Sequence, residues 1–197
     1  MHAANPGIFY SQENSHIMKV ALLSSLIALS SIAYADEFKL SSTDIAAGKP
    51  LSIKQAYNSF GCTGDNISPQ LAWHGAPQGT KSFAITAYDP DAPSGSGWWH
   101  WTVVNIPADV SSLATGASSS PAGLPVGAIQ GRNDYGNSGF GGACPPAGDK
   151  PHHYQFTVWA LKVDHLPVDA NASGALIGYM LRANALAKVQ IVAPTKR

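Results

Sequence analysis

The sequence predicts a mostly β protein, an antiparallel β sandwich that carries one or two short helices. Several segments alternate apolar and polar residues with a period of two, which is the pattern of strands with one buried face. Loops rich in Gly, Pro, Ser and Asn separate these segments, and such loops are poor helix formers. Short alternating strands joined in this way are typical of two sheets packed face to face.

Strands are predicted at residues 82–89, 98–106, 152–161 and 189–192. Strict alternation then assigns the faces of the first three, because successive side chains of a strand point to opposite sides. The faces are Phe83, Ile85, Ala87 and Asp89 in the first strand; His100, Thr102, Val104 and Ile106 opposite Trp99, Trp101 and Val103 in the second; and His152, Tyr154, Phe156, Val158 and Ala160 in the third.

A helix is predicted at about residues 171–188, just before the closing strand, because apolar residues recur there at helical spacing. Asp169 or Asn171 is the expected cap. The apolar residues of this helix are Leu176, Ile177, Met180, Leu181 and Leu186.

The first 35 residues are predicted to lie outside a single folded domain at residues 36–197. Met18 and Lys19 lead into an apolar run that ends in Ala33-Tyr34-Ala35, the pattern of a signal peptide with its cleavage site. We therefore expect translation to start at Met18, cleavage after Ala35, and a periplasmic or secreted protein. No other segment approaches the roughly 20 apolar residues of a membrane span, so no integral membrane segment is expected after cleavage.

Charge and cysteine content narrow the possible partners. The chain has 12 Lys plus Arg and 12 Asp plus Glu, without long runs of either sign. Nucleic acid is therefore not expected as a partner, because phosphate backbones are bound by clustered basic residues. An exported chain with two cysteines usually pairs them, so we expect a Cys62–Cys144 disulfide, with two separate thiols as the alternative.

Polar residues stand at the ends of the apolar strand faces. If the strands are neighbours, Asp89, His100, His152 and Tyr154 converge at one rim, whereas His153 points to the opposite face. Histidines, a tyrosine and the backbone amides of a Gly-rich loop suit a small anion such as phosphate. Taken one at a time, such polar turn residues are more often structural, and the tryptophans are more typical of a core.

Three motifs in order extend this interpretation over residues 38–192. The motifs are Asp89-Pro90-Asp91-Ala92-Pro93; Trp98-Trp99-His100-Trp101 with Val103-Val104-Asn105; and Cys144-Pro145-Pro146-Ala147-Gly148 with His152-His153-Tyr154. Together they resemble the phosphatidylethanolamine-binding protein family, also called Raf kinase inhibitor protein-like, and in particular its exported bacterial members.

The resemblance implies a Greek-key β sandwich with a small cavity for phosphate, phosphorylethanolamine or a similar head group. It also implies a cis peptide bond between Ala92 and Pro93. By motif, the cavity is expected to be lined by Asp89, His100, His152 and Tyr154 and shaped by Pro93 and Pro146.

The expected activity is reversible binding without catalysis, cofactor or metal. His100 and His152 are expected to donate to phosphate oxygens, Tyr154 to add a hydroxyl, and Asp89 to hold a histidine or a ligand amine. Affinity is expected to rise as the pH falls from about 8 to 6, because histidines gain charge there. A kinase-inhibitor-like or host-directed regulatory role is what the family's second name implies.

Two other function classes remain open. One is a protein–protein interaction module with a vestigial pocket and a working surface in its loops. The other is a hydrolase, in which Asp89 and His100 form an acid/base pair or join His152 as zinc ligands. The sequence contains no G-x-S-x-G, H-E-x-x-H or P-loop motif to support catalysis.

Overall fold

The strands of the computed structural model form two antiparallel sheets. The structure describes residues 37–120 and 122–197, so the predicted signal peptide and the start of the domain at residue 36 lie outside the described residues. The strands are β1 Lys39–Ser41, β2 Leu71–His74, β3 Ser82–Asp89, β4 Trp98–Pro107, β5 Ser112–Leu113, β6 Ile129–Gln130, β7 His152–Leu161 and β8 Ala185–Thr195.

The smaller sheet has the order β1-β2-β5 and the larger one β6-β4-β3-β7-β8. An α-helix, α1 at Gly174–Asn184, and a single 3-10 turn at Ile53–Gln55 complete the regular elements of the described residues. This confirms the predicted mostly β fold class. No helix among residues 37–120 and 122–197 is long and apolar enough to cross a membrane.

The main apolar core contains side chains of both sheets, which is why the alternating strands fold this way. Leu71 and Trp73 of β2 belong to one buried cluster with Phe83, Ile85 and Ala87 of β3. The same cluster takes in the predicted inward face of β7, namely Tyr154, Phe156, Val158 and Ala160. The alternation of β3 and β7 therefore assigned their faces correctly.

The face assignment of β4 was wrong, because β4 carries two irregularities in its pairing with β3. Ala87 pairs with Trp101 and Tyr88 with Trp99, so His100 is an extra residue without a partner on β3. A β-bulge of this kind turns two successive residues to the same side of the sheet. Trp101 consequently packs in the main core, and His100 stays on that side as well.

A second irregularity lies at the other end of β4. Phe83 pairs with Ile106 and Ile85 with Val103, which again leaves one residue too many on β4. Asn105 adopts a positive φ of 60° there. Val103 and Ile106 thus both face the main core, while Val104 packs in a second buried cluster with α1.

Helix α1 covers the outer side of the larger sheet and is shorter than predicted. Its cap is Ser173, whose hydroxyl accepts from the Leu176 amide, and Asp169 instead accepts from the Asn171 amide in the preceding turn. The helix ends at Asn184 because β8 begins at Ala185 and pairs with β7 over its whole length. The closing strand is therefore longer than residues 189–192, and Leu186 belongs to it.

Candidate functional site

The Asp89 and His152 side chains meet at the ends of β3 and β7. His152 Nδ1 lies 2.7 Å from Asp89 Oδ2, and both side chains are buried. Burial alone would lower the pKa of His152, but the hydrogen bonds to Asp89 and Asp149 and the charge of Asp89 outweigh it and raise the pKa. The carboxylate of Asp89 therefore favours the protonated form of the His152 ring.

The turn after β3 is held by the same carboxylate. The Asp91 amide donates to Asp89 Oδ1 over 2.9 Å, and the Ser94 amide donates to the Ala92 carbonyl over 2.8 Å. The predicted cis bond between Ala92 and Pro93 is wrong: all peptide bonds of the described residues are trans. These hydrogen bonds close the turn and orient Asp89 without a cis proline.

His153 lies on the opposite face of β7, as alternation predicts. Its backbone amide and its Nδ1 both contact Asp91 Oδ2, at 2.7 and 2.8 Å. The hydrogen bonds from His153 lower the pKa of Asp91. This exposed pair lies beside the site and does not line its cavity.

His100 is completely buried, and the polypeptide supplies one partner for its ring. Nδ1 lies 2.7 Å from the Gly141 carbonyl oxygen. Because a carbonyl only accepts, Nδ1 carries the proton and Nε2 of the neutral ring carries a lone pair. Nε2 has no hydrogen-bond partner in the structure.

The charge expected for His100 at neutral pH was wrong. Desolvation lowers its pKa to about 4, although the backbone carbonyl of Gly141 and the charge of Asp89 oppose the shift. The ring is therefore neutral between pH 6 and 8. The expectation that His100 donates to phosphate is also incompatible with this tautomer, since its N–H is already directed to Gly141.

The loop at residues 131–143 hydrogen-bonds to β4 around the bulge at His100. The Trp99 amide donates to Asp134 Oδ2 over 2.7 Å, and the Gly141 amide donates to the His100 carbonyl over 2.8 Å. Gly141 must be a glycine, because a Cβ there would lie 2.4 Å from Cδ2 of Tyr135. The loop thus provides hydrogen-bond partners for the backbone around the bulge and holds the orientation of the His100 ring.

The predicted site residues surround a cavity of about 260 Å³. The structure brings together all six of them: Asp89, Pro93, His100, Pro146, His152 and Tyr154. Six residues that sequence reasoning did not include complete the lining: Phe60, Ala92, Trp98, Tyr135, Cys144 and Pro145. Whether the predicted six bind a ligand stays a prediction.

Trp98 and Tyr135 are the most informative of the additional residues. The Trp98 ring contacts the Tyr135 ring edge-on at 5.3 Å, and its indole Nε1 has no partner. The Tyr135 ring stacks on Tyr57 at 3.8 Å and contacts His100 at 5.7 Å. Trp98 is part of the second sequence motif and could have been predicted as a cavity residue. The loop around Tyr135 is irregular, so no periodic sequence pattern indicated that Tyr135 reaches the cavity.

Both tyrosines of the cavity remain protonated phenols. Burial raises the pKa of Tyr154, which the charge of Asp89 raises further and the backbone of Cys144 lowers in part. Burial likewise raises the pKa of Tyr135, whose hydroxyl donates to the Gly142 carbonyl over 3.0 Å. Tyr154 is therefore the tyrosine whose hydroxyl proton remains available to a ligand.

The predicted disulfide is confirmed. Cys62 and Cys144 are bonded across 82 residues, and the bond joins the loop of Phe60 to the cavity wall at Pro145. Phe60 is two-thirds exposed and has a φ of 55°, a left-handed conformation that favours glycine. Its ring lies 5.3 Å from Tyr135, at the cavity.

The zinc-hydrolase alternative requires Asp89, His100 and His152 as three ligands of one ion. Residues 37–120 and 122–197 contain no group of three or more His, Cys, Asp or Glu side chains placed to hold a metal ion. His152 Nδ1 and His100 Nδ1 are already hydrogen-bonded, to Asp89 and to the Gly141 carbonyl.

Comparison with known proteins decides the family. A model of the family described as phosphatidylethanolamine-binding protein matches residues 41–196. The chain belongs to the phosphatidylethanolamine-binding protein family. This confirms the resemblance drawn from the three motifs.

Two curated relatives in this family come from Escherichia coli strain K12. The chain is 57% identical over 176 residues to the UPF0098 protein YbcL, a match that covers 88% of this chain and 96% of that protein. It is 49% identical over 155 residues to the UPF0098 protein YbhB, covering 79% of this chain and 98% of that protein.

Solved structures agree with the family fold. The crystal structure of E. coli YbcL, described as a new member of the mammalian PEBP family, matches with a TM-score of 0.80 and 59% identity over 82% of this chain and 99% of that one. That of CT736 from Chlamydia trachomatis, described as a PEBP homolog, matches with a TM-score of 0.66 and 27% identity over 81% and 97%. Membership of this family supports a ligand-binding role for the chain.

Proposed function

We propose that the protein reversibly binds a small phosphate-bearing molecule or lipid head group in the cavity between Asp89, His100, His152 and Tyr154. The observation that carries this proposal is a pair of buried polar atoms without partners, His100 Nε2 and Trp98 Nε1, in side chains that line one cavity. Buried polar atoms without partners are costly, and a polar ligand would satisfy them.

The size of the cavity supports a head group and not a larger molecule. Its 260 Å³ lies below the range of about 300–1,000 Å³ that is usual for drug-sized ligands. Pro93 and Pro146 form part of its lining and restrict its shape. A phosphate group with a short substituent fits such a volume.

The donors that remain free suit an anionic oxygen. Trp98 Nε1 and the Tyr154 hydroxyl are uncharged donors, and Asp89 raises the pKa of His152, which favours a positive charge on that ring. The described residues that line the cavity include neither Lys nor Arg. We therefore expect moderate affinity, because fully charged clamps are stronger than neutral hydrogen bonds.

Calorimetric titration of the protein with phosphorylethanolamine and with inorganic phosphate tests the proposal. We expect saturable binding that weakens about tenfold in Tyr154→Phe, the cost of one hydrogen bond to a charged group. Tyr179→Phe is the matched control, since Tyr179 is an exposed tyrosine of α1 and its substitution should leave affinity unchanged. Absence of binding by the folded wild type would overturn the proposal and favour the protein-interaction module.

Export and regulation are further parts of the proposal. A periplasmic or secreted location follows from the predicted leader and is tested by cell fractionation with the natural N-terminus. A kinase-inhibitor-like or host-directed role is tested by comparing wild type with Tyr154→Phe in an inhibition assay. An effect that survives loss of ligand binding would separate that role from the cavity.

A further inference from the structure

The unpartnered nitrogen of His100 is a hydrogen-bond acceptor. The Gly141 carbonyl holds the proton on Nδ1 at 2.7 Å, and the ring lines the cavity. Nε2, on the other side of the ring, has no partner in the polypeptide. A neutral imidazole in this tautomer can only accept a hydrogen bond at Nε2.

The groups around His100 keep the ring in this state. Asp89 on β3 and His152 and Tyr154 on β7 face it, and Tyr135 faces it from the loop at residues 131–143. Asp89 and His152 are hydrogen-bonded to each other, so the effects of their opposite charges on the His100 ring largely cancel. Desolvation dominates and lowers the pKa of His100 to about 4.

A fully ionised phosphate is a poor match for this cavity. A phosphate monoester dianion has only acceptor oxygens, and one of them would face the lone pair of His100 Nε2. The singly protonated monoester has one hydroxyl donor as well as acceptor oxygens. It can donate to His100 Nε2 while it accepts from Trp98 Nε1, so both unpartnered nitrogens of the cavity lining obtain a partner, and the Tyr154 hydroxyl can donate to a further oxygen.

We propose that the cavity selects the singly protonated form of a phosphate monoester, whose hydroxyl donates a hydrogen bond to His100 Nε2. This inference rests on the proposed function and specifies the protonation state of its ligand. A phosphate monoester loses this proton with a pKa near 6. The apparent affinity for total phosphate monoester should therefore fall about tenfold per pH unit once the pH is well above that value, because the monoanion fraction falls by that factor.

Methyl phosphate and methyl sulfate are matched probes for this selection. At pH 5.5 both are predominantly monoanions of nearly the same shape, but methyl sulfate has no hydroxyl to donate. We expect methyl phosphate to bind about tenfold more tightly at pH 5.5, the usual effect of one hydrogen bond to a charged partner. The ratio should shrink as the pH rises to 8, where methyl phosphate has lost its proton.

Methyl sulfate also isolates the contribution of the protein. Its charge is constant over this range, so any change in its affinity reports a titration of the protein, and His152 is the cavity group whose pKa is raised from 6.5. His153→Ala is the control variant, because His153 is half exposed and lies on the opposite face of β7. It should preserve the preference for methyl phosphate at pH 5.5.

NMR of the imidazole nitrogens tests the same inference without a core substitution. We expect His100 to carry its proton on Nδ1 before and after ligand binding, with the Nε2 resonance shifted by a new hydrogen bond. Equal affinity for the two probes at pH 5.5, or a proton on Nε2 in the complex, would overturn the selection but leave the proposed function intact. No binding of either probe, phosphate or phosphorylethanolamine at any pH would overturn both.

Discussion

His152 donates through Nδ1 to Asp89 Oδ2 over 2.7 Å, and the two side chains are only 5% and 3% exposed. They come from β3 and β7, which pair directly in the larger sheet. The sheet itself therefore positions the charged part of the cavity, and the protonation of His152 depends on its neighbour.

Asp89→Asn should lower the pKa of His152 below its ordinary value. The substitution removes the carboxylate that raises this pKa, while the burial that lowers it remains. An NMR pH titration of His152 measures the effect. Asp91→Asn is the control, because Asp91 contributes least among the groups that raise this pKa. An unchanged His152 titration in Asp89→Asn would contradict the assigned pair.

The two buried histidines should affect stability in opposite pH ranges. His100 has a folded-state pKa of about 4, so between pH 6.5 and 4 the unfolded chain binds the extra proton and stability falls as the pH falls. The resulting loss in the free energy of unfolding is roughly 3 kcal/mol, because each unit between the reference pKa and the folded-state pKa corresponds to about 1.4 kcal/mol. His152 has a raised pKa, so its contribution is present below pH 6.5 and is lost as the pH rises through the folded-state value.

Urea denaturation of wild type and His100→Gln between pH 8 and 4 checks this assignment. The variant should be less stable at pH 8, because it loses a buried hydrogen bond and its packing. The difference in the free energy of unfolding should narrow toward pH 4, since glutamine does not titrate. A constant difference across this range would show that His100 is protonated equally in the folded and unfolded states.

Removal of the disulfide should destabilise the protein and weaken ligand binding. The bond closes 82 residues, for which the loop-entropy model gives about 4 to 5 kcal/mol. Urea denaturation of a Cys62→Ser, Cys144→Ser double variant measures the loss, and calorimetry with phosphorylethanolamine measures the effect of releasing the Phe60 loop. The reduced wild type should unfold at the same urea concentration as the double variant. Equal urea midpoints for the protein with and without the disulfide would contradict the prediction.

Gly174→Ala should destabilise the contact between α1 and the larger sheet. A Cβ at Gly174 would lie 2.2 Å from Cγ of Trp99, so the helix or the indole must move. Overpacking of this kind costs about 1 to 3 kcal/mol, which exceeds the gain in helix propensity. Urea denaturation measures the loss in the free energy of unfolding caused by Gly174→Ala, in the wild type and in Trp99→Ala. The loss should largely disappear in Trp99→Ala, where the indole is absent. A loss of equal size in both would exclude the steric cause.

The sequence predicted the elements in which local pattern and final pairing agree. Strands β3 and β7 have the predicted bounds, and their inward faces follow strict alternation, which places Asp89, His152 and Tyr154 at one rim. The ends of α1 were predicted less well. Helical spacing continues past Asn184, but pairing with β7 draws the following residues into β8.

The remaining features depend on tertiary structure. The bulge at His100 is not visible in the alternation of β4, and neither is the hydrogen bond that assigns its tautomer. Its charge state depends on desolvation by residues far apart in the chain, so the reference pKa of histidine gave the wrong expectation. Tyr135 enters the cavity from a loop whose course is set by contacts with β4.

The extra residue of β4 at His100 has a consequence for mutational tolerance. A core position accepts many apolar replacements, provided that the side-chain volume is conserved. The orientation of His100 is instead set by the number of residues between Trp99 and Trp101. Removing one residue from this part of β4 would restore regular pairing and keep an apolar strand, yet it would change which side chains reach the cavity. Insertions and deletions here should abolish binding in proteins that still fold, so relatives that share the ligand must keep the residue count of this strand as well as its histidine.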